Sequence, residues 1–298
     1  MCGIVGLLLK EKALRPRLGE LMVPMLVGMT ERGPDSSGMA VFTDTAADDG
    51  RKFSLYCVQA EFDWEHFEAA ALESLGPARF EIRSNHCILS TAAGPQAVRE
   101  WLRKTYPAVR VLSVGRSIDL YKDVGLPAEV ADRYRFADIG GTHLVGHTRM
   151  ATESAVTIEN AHPYTAGEDW CLVHNGSLAN PGTIRRKLEK LGERFESDCD
   201  TEGACRYVHW RLGKGESLET ALHHAFADFD GFFTFLMGTR DKLALVRDPF
   251  ACKPAVVAET SEYVAIATEF RSLAHLPGIK RATVFEPKPA EVYSWSVQ

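Results

Sequence analysis

The chain has 298 residues, 45% hydrophobic and 25% charged, the balance of a globular protein able to bury one large core plus a substantial insertion. A net charge of −6 without a long basic run argues against nucleic acid; no apolar stretch reaches the ~18 residues of a membrane span, and no basic flank precedes Lys10, so the start does not read as a signal peptide. Seven cysteines, at 2, 57, 87, 171, 199, 205 and 252, show no C-x2-C spacing, which speaks against a disulfide framework or a zinc site and fits a reducing cytoplasm.

Residues 2–9 are a nearly continuous, branched apolar run that suits a buried strand. Residues 16–31 read as a helix, with Leu18, Leu21, Met22, Met25, Leu26 and Met29 at three- and four-residue steps; Pro24 marks a kink in it or its start. A polar turn, Arg32-Gly33-Pro34-Asp35-Ser36-Ser37-Gly38, leads to a strand at 39–42. The next stretch reads as strand 52–60, helix 63–75, strand 79–91, helix 95–105 and strand 109–114, a β-α-β-α-β run able to fold as a small α/β subdomain. From Thr142 onward strands dominate, at 142–148, 170–174, 231–238, 242–247, 253–258, 262–267, 282–285 and 291–295. Helices interrupt them at 181–192, opened by Asn180-Pro181, and at 200–213, extended by 217–228. Strand runs with segregated helices indicate an α+β fold with antiparallel sheets.

Cys2 follows Met1 directly. With Met1 removed it carries a thiol and a free α-amine on one residue, a nucleophile beside a base of similar pKa (~8.5 and ~7.7–8.0). Four further motifs follow in order: the Arg32–Gly38 turn; Gly146-His147-Thr148-Arg149-Met150-Ala151-Thr152-Glu153 leading to His162-Pro163; His174-Asn175-Gly176; and Ser197-Asp198-Cys199-Asp200-Thr201-Glu202. Each alone has an ordinary structural explanation. Arg149 suits an ion pair, Asp200 a helix N-cap and Asn175-Gly176 a hairpin turn. His147, His162 and His174 read as hydrogen-bonded strand-end residues rather than metal ligands.

Together, in this order and spacing, the motifs resemble the class II glutamine amidotransferase domain, an N-terminal-nucleophile hydrolase, over residues 2–42 and about 140–298. Arg247-Asp248-Pro249-Phe250 and Ala267-Thr268-Glu269 agree with it. The resemblance implies a four-layer αββα sandwich of antiparallel sheets spanning 2–298, interrupted by an inserted α/β subdomain at 43–139. It implies that Cys2 attacks a side-chain amide with its own α-amine as base, and that Asn175 and the Gly176 N–H form the oxyanion hole. Arg149 would hold the substrate α-carboxylate, Asp200 its α-ammonium, and Thr152 would add a hydrogen bond. Met150 and Glu153 depart from the aminosugar synthase of the family, which carries Trp and His there, so pocket closure and specificity are not expected to follow that enzyme.

In the family a second domain consumes the ammonia. No sugar-phosphate isomerase, phosphoribosyl or ATP-pyrophosphatase motif stands in this sequence, so the ammonia is expected to pass to another subunit or be released. The long 43–139 stretch and the Gly146–Ser154 wording resemble the separate glutaminase-like subunit of split glutamate synthases, such as the A subunit of N-methylglutamate synthase. That implies a cytoplasmic hetero-oligomer acting on glutamine or a γ-glutamyl amide. Its partners would be a glutamate-synthase-like subunit carrying FMN and an iron–sulfur cluster and a β-helix-like subunit, with no cofactor on this chain. A catalytically silent structural or regulatory subunit and a stand-alone glutamine hydrolase are the competing readings.

Overall fold

The computed structural model describes residues 2–43, 50–59, 61–151 and 155–297. Its centre is β1 (Gly3–Leu9), all seven of whose residues are buried. An apolar run without alternation calls for a strand covered on both faces. Val5, Leu7 and Leu9 pack against helix α1 (Leu18–Val27), while Ile4 and Leu8 face a second sheet. The chain continues through β2 (Ser36–Phe42), β3 (Arg51–Cys57), α2 (Trp64–Leu75), β4 (Ala78–Arg83), β5 (His86–Thr91), α3 (Pro95–Thr105), β6 (Val109–Gly115), β7 (Ile118–Val124) and α4 (Pro127–Arg133). Then come β8 (His143–Arg149), β9 (Tyr164–Thr165), β10 (Trp170–Leu178), α5 (Pro181–Glu189), α6 (Asp200–Gly213) and α7 (Leu218–Asp228). The last strands are β11 (Gly231–Thr239), β12 (Lys242–Arg247), β13 (Val256–Glu259), β14 (Tyr263–Ala267), β15 (Thr283–Phe285) and β16 (Val292–Ser296). No helix among the described residues is long and apolar enough to cross a membrane.

One antiparallel sheet has the order β15-β13-β14-β1-β8-β2-β7 and a second the order β16-β12-β11-β10-β9. Their inner faces meet through Ile4, Phe42, Val145, Val173, Leu236 and Ile266. Helices α1 and α4 cover the outer face of the first sheet, and α5, α6 and α7 that of the second. The result is the α+β, four-layer αββα sandwich that the sequence leads one to expect.

A third antiparallel sheet, β4-β5-β3-β6, carries α2 and α3 over its own core of Phe53, Leu55, Trp64, Phe67, Val98 and Leu102. Its β-α-β-β-α-β order is the split-βαβ arrangement. The separately packed unit is 51–115, narrower than the 43–139 stretch. β7 returns to pair with β2 in the main sheet, and Val130 and Phe136 join the core beside α1. Within the unit, the expected strand 79–91 is two strands, joined where Ser84 takes a left-handed φ of 57° without a glycine to signal the turn. The 16–31 helix is shorter, running 18–27, and Pro24 lies inside it rather than at its start. The 200–228 pattern is two helices separated at Ser217, whose hydroxyl accepts from the Thr220 amide.

β7 is the edge of the main sheet, and β3 closes that edge. The buried Ser54 hydroxyl accepts from the Leu120 amide at 2.8 Å and from the Ser113 hydroxyl at 2.7 Å, and Lys52 pairs with Asp119 at 2.5 Å. Ser54→Ala leaves two buried donors unmet. The expected loss is about 1–3 kcal/mol of unfolding free energy, checked by urea denaturation; an unchanged midpoint overturns the role of Ser54 at this joint.

Candidate active site

The position of Cys2 follows from strand register. Gly3 lies opposite Thr148 of β8, so Cys2 stands beside Arg149 where that strand ends. On the other side, the Ile4 amide donates to Thr268 Oγ1 at 2.9 Å and the Thr268 amide to the Ile4 carbonyl at 3.1 Å. The Arg32–Gly38 turn braces this corner. Arg32 Nε donates to the Cys2 carbonyl at 3.2 Å while its Nη1 pairs with Glu269 at 2.6 Å. Asp35 Oδ2 accepts from the Ala151 amide at 2.7 Å, and the Asp35 amide donates to the Arg149 carbonyl at 3.1 Å. A side chain at Gly33 would collide with the Thr148–Arg149 backbone, which explains the glycine in this turn.

Asn175 and Gly176 come from the second sheet. They are no hairpin turn: they lie inside β10, paired with Thr234 and Phe233 of β11. Gly176 holds φ at 149°, and a Cβ there would collide with the Phe232 carbonyl. Asn175 is buried, and its Nδ2 donates to Thr268 Oγ1 at 3.0 Å. An amide nitrogen carries two hydrogens, so one is left for a ligand. Thr268 thus ties the strand bearing Cys2 to the one bearing Asn175. In the sequence Thr268 stands within Ala267-Thr268-Glu269, a hydroxyl directly after an apolar strand, and that is the one local signal of its role.

Asp200 opens α6. It sits one position inside the helix, with Cys199 at the N-cap. Its Oδ2 accepts from the Leu178 amide at 2.9 Å, and its Oδ1 from the Thr201 hydroxyl at 3.2 Å, with His174 Nδ1 at 3.6 Å. Burial alone would raise this carboxyl, but the interactions with His174, the Leu178 amide and Thr201 hold it well below the usual carboxylate range. Behind it, Thr201 Oγ1 meets His162 Nε2 at 2.9 Å and His174 Nδ1 at 3.1 Å, and His147 stacks on His162 at 4.1 Å. Burial lowers both His147, to about 3, and His162, so both are neutral near pH 7. These histidines form a packed wall, and Thr201, one residue of the Ser197–Glu202 motif, is the joint that ties α6 to it.

A cavity of about 540 Å³ gathers Cys2, Arg149, Asn175, Gly176 and Asp200. Arg149 is buried, with Nη1 near the Ala155 carbonyl at 3.4 Å. Met150 and Lys253 also line the cavity. Lys253 depends on the turn built by buried Asp248, which accepts from the amides of Phe233, Phe250 and Ala251; no local pattern could have flagged it. Thr152 and Glu153 lie outside the described residues. Burial pushes the Cys2 thiol above its ordinary value, against the Met150 backbone and the Arg149 charge, which pull it down. A thiol so placed needs a base to become a nucleophile. The cavity therefore brings opposite charges at Arg149 and Asp200 together with a sulfur and the Asn175 side-chain amide.

A family profile described as a glutamine amidotransferase domain matches residues 147–275. The chain is 47% identical to the glutamine amidotransferase-like protein GlxB of Rhizobium meliloti, covering 100% of this chain and 99% of that one. It is 32% identical to a Methanothermobacter thermautotrophicus protein provisionally assigned as a glutamine amidotransferase, covering 98% and 99%. The glutamine phosphoribosylpyrophosphate amidotransferase of B. subtilis shares the fold, with a TM-score of 0.63 over 98% of this chain and 47% of that one, at 16% identity.

Two outcomes follow from the geometry. Thr268→Val leaves the buried Ile4 amide and Asn175 Nδ2 without their acceptor, at an expected cost of about 1–3 kcal/mol; equal unfolding midpoints overturn the tie. Asp200 has its carboxyl pKa depressed by folding, so its stabilisation is complete above the unfolded value of ~3.9 and is lost as pH falls through the folded one. Wild type should exceed Asp200→Asn in stability from pH 5 to 7, with the gap closing in acid. A gap that widens in acid contradicts the assignment.

Proposed function

Because the chain belongs to the glutamine amidotransferase family, we propose that it hydrolyses the side-chain amide of glutamine, or of a γ-glutamyl amide, through Cys2. The observation that carries this reading is the convergence of Cys2, Arg149, Asn175, Gly176 and Asp200 on one cavity from separate elements. The Arg149 guanidinium takes the α-carboxylate and the Asp200 carboxylate the α-ammonium, which leaves the amide end directed at Cys2. With Met1 removed, the Cys2 amine takes the thiol proton, and sulfur bonds to the amide carbon. The oxygen charge that develops is met by Asn175 Nδ2 and the Gly176 N–H. The C–N bond then breaks, the amine passes its proton to the departing nitrogen, and ammonia or an alkylamine leaves a thioester. Water cleaves that thioester to glutamate and the free thiol.

In this proposal the released nitrogen base goes to a partner. The described residues build the four layers and the 51–115 unit, and the long stretch between the second and third motifs is what supports this reading. The chain is then the glutaminase-type subunit of a glutamate-synthase-like complex of the N-methylglutamate synthase kind. FMN and the iron–sulfur cluster sit on one partner, and a β-helix-like subunit is the other.

Intact-mass measurement with a glutamine-like alkylating analogue tests the core of the reading. Loss of Met1 and a single adduct that Cys2→Ala abolishes are expected; a retained Met1 with no adduct favours a catalytically silent subunit. Arg149→Lys exchanges a bidentate fork for a point charge, so KM for glutamine should rise about tenfold or more. The acid limb of kcat/KM should report the Cys2 amine, at ~7.7–8.0. Asp200 is held too low to produce it. Because the Asp200 charge acts on Cys2, Asp200→Asn should shift this limb only modestly; a limb that the substitution abolishes would reassign the base.

A further inference from the structure

A second cavity, of about 550 Å³, lies where the 51–115 unit meets the sandwich, between α3 and β6 on one side and β9 and α6 on the other. That size suits a small molecule (~300–1,000 Å³). Its floor carries Lys122 of β7, which is 6% exposed. The Lys122 ammonium donates to the Ala161 carbonyl at 2.7 Å and lies 4.9 Å from the centre of the Tyr164 ring. Among the described residues it forms no ion pair. A buried ammonium without a counter-charge is costly, and it has two donors to spare. Of the carboxylates that line the cavity, Glu202 is already taken by the Glu196 and Ser197 amides and by Arg206. Glu159 and Glu196 also line the cavity and act on Lys122 at a distance. Around the mouth stand Arg99 and Arg103, one helical turn apart on α3, and Arg110 on β6. All three are exposed, and none pairs with a carboxylate among the described residues.

We propose that this cavity binds a small organic anion with two acidic groups, one carboxylate or phosphate group on buried Lys122 and the other on the arginines at the mouth. Its wall is shared with the catalytic cavity. Ser197 and Glu202 face the anion site, while Asp198, Cys199, Asp200 and Thr201 between them face the other. A ligand here therefore bears on the segment that positions Asp200, and its occupancy alters glutamine affinity. The binding half stands on this geometry alone; the coupling half rests on the amidotransferase reading.

The test is calorimetric titration of the full chain with succinate and 3-phosphoglycerate, acetate serving as the single-charge control. One site per chain is expected, binding at least one of the two probes about tenfold more tightly than acetate. Lys122→Met should weaken it about tenfold, and the exposed pair Arg99→Ala with Arg103→Ala about fivefold. Which probe binds distinguishes a dicarboxylate from a phosphate ester. No binding of either probe at millimolar concentration overturns the site, as does binding that both variants leave unchanged. The coupling is read separately, as a shift of at least twofold in KM for glutamine at saturating probe that the arginine pair abolishes; an unchanged KM overturns the coupling without touching the amidase assignment.

Discussion

The register of β1 is the constraint on which the rest of the site depends. Gly3 lies opposite Thr148, and Val5 opposite both Gly146 and Ala267. Because both faces of β1 are buried, a slip by one residue would exchange Val5, Leu7 and Leu9 with Ile4, Gly6 and Leu8 between two differently shaped cores. Gly6 has no room for such an exchange, since a Cβ there would sit 2.8 Å from Leu236. Packing therefore fixes the position of Cys2 to within one residue, although Cys2 itself contributes little to that packing.

Around this fixed point the architecture adds groups from elements distant in sequence. The first sheet supplies Cys2 and Arg149 at neighbouring strand ends, the second supplies Asn175 and Gly176, and the helical layer behind it supplies Asp200. Thr268 links the two sheets and Thr201 links helix to histidine wall, so the polar groups are held by other polar groups in a low-dielectric interior. Such support holds the Asn175 amide in one orientation through Thr268.

The 51–115 unit is bound into the sandwich. It closes the β7 edge through Ser54, Ser113 and the Lys52–Asp119 pair. The same juncture buries Lys122 and leaves a cavity behind the Asp200 segment. Covering a sheet edge and creating a second concave surface are thus two consequences of one packing arrangement.

The class of fold, most of the elements and the residues that meet in the cavity beside Cys2 were legible in the sequence. Apolar periodicity and the order of short polar motifs are local, and they are set by backbone geometry and side-chain type. Cys2, Arg149, Asn175, Gly176 and Asp200 stand out only through the resemblance that those motifs carry together. The sequence did not reveal β7, because Asp119, Lys122 and Asp123 break its apolar pattern and become buried only through Lys52, Ala161 and Tyr134, each from another element. Nor did it separate the Ser84 turn, or give Thr268, Thr201 and Lys253 their places. Those depend on which strands lie side by side and which faces meet, properties of long-range pairing that no single segment encodes. Asn175-Gly176 shows the division most clearly. Its residue types suit a turn, and only pairing with β11 turns it into a strand whose glycine, at a φ of 149° that a side chain would not tolerate, lines the cavity.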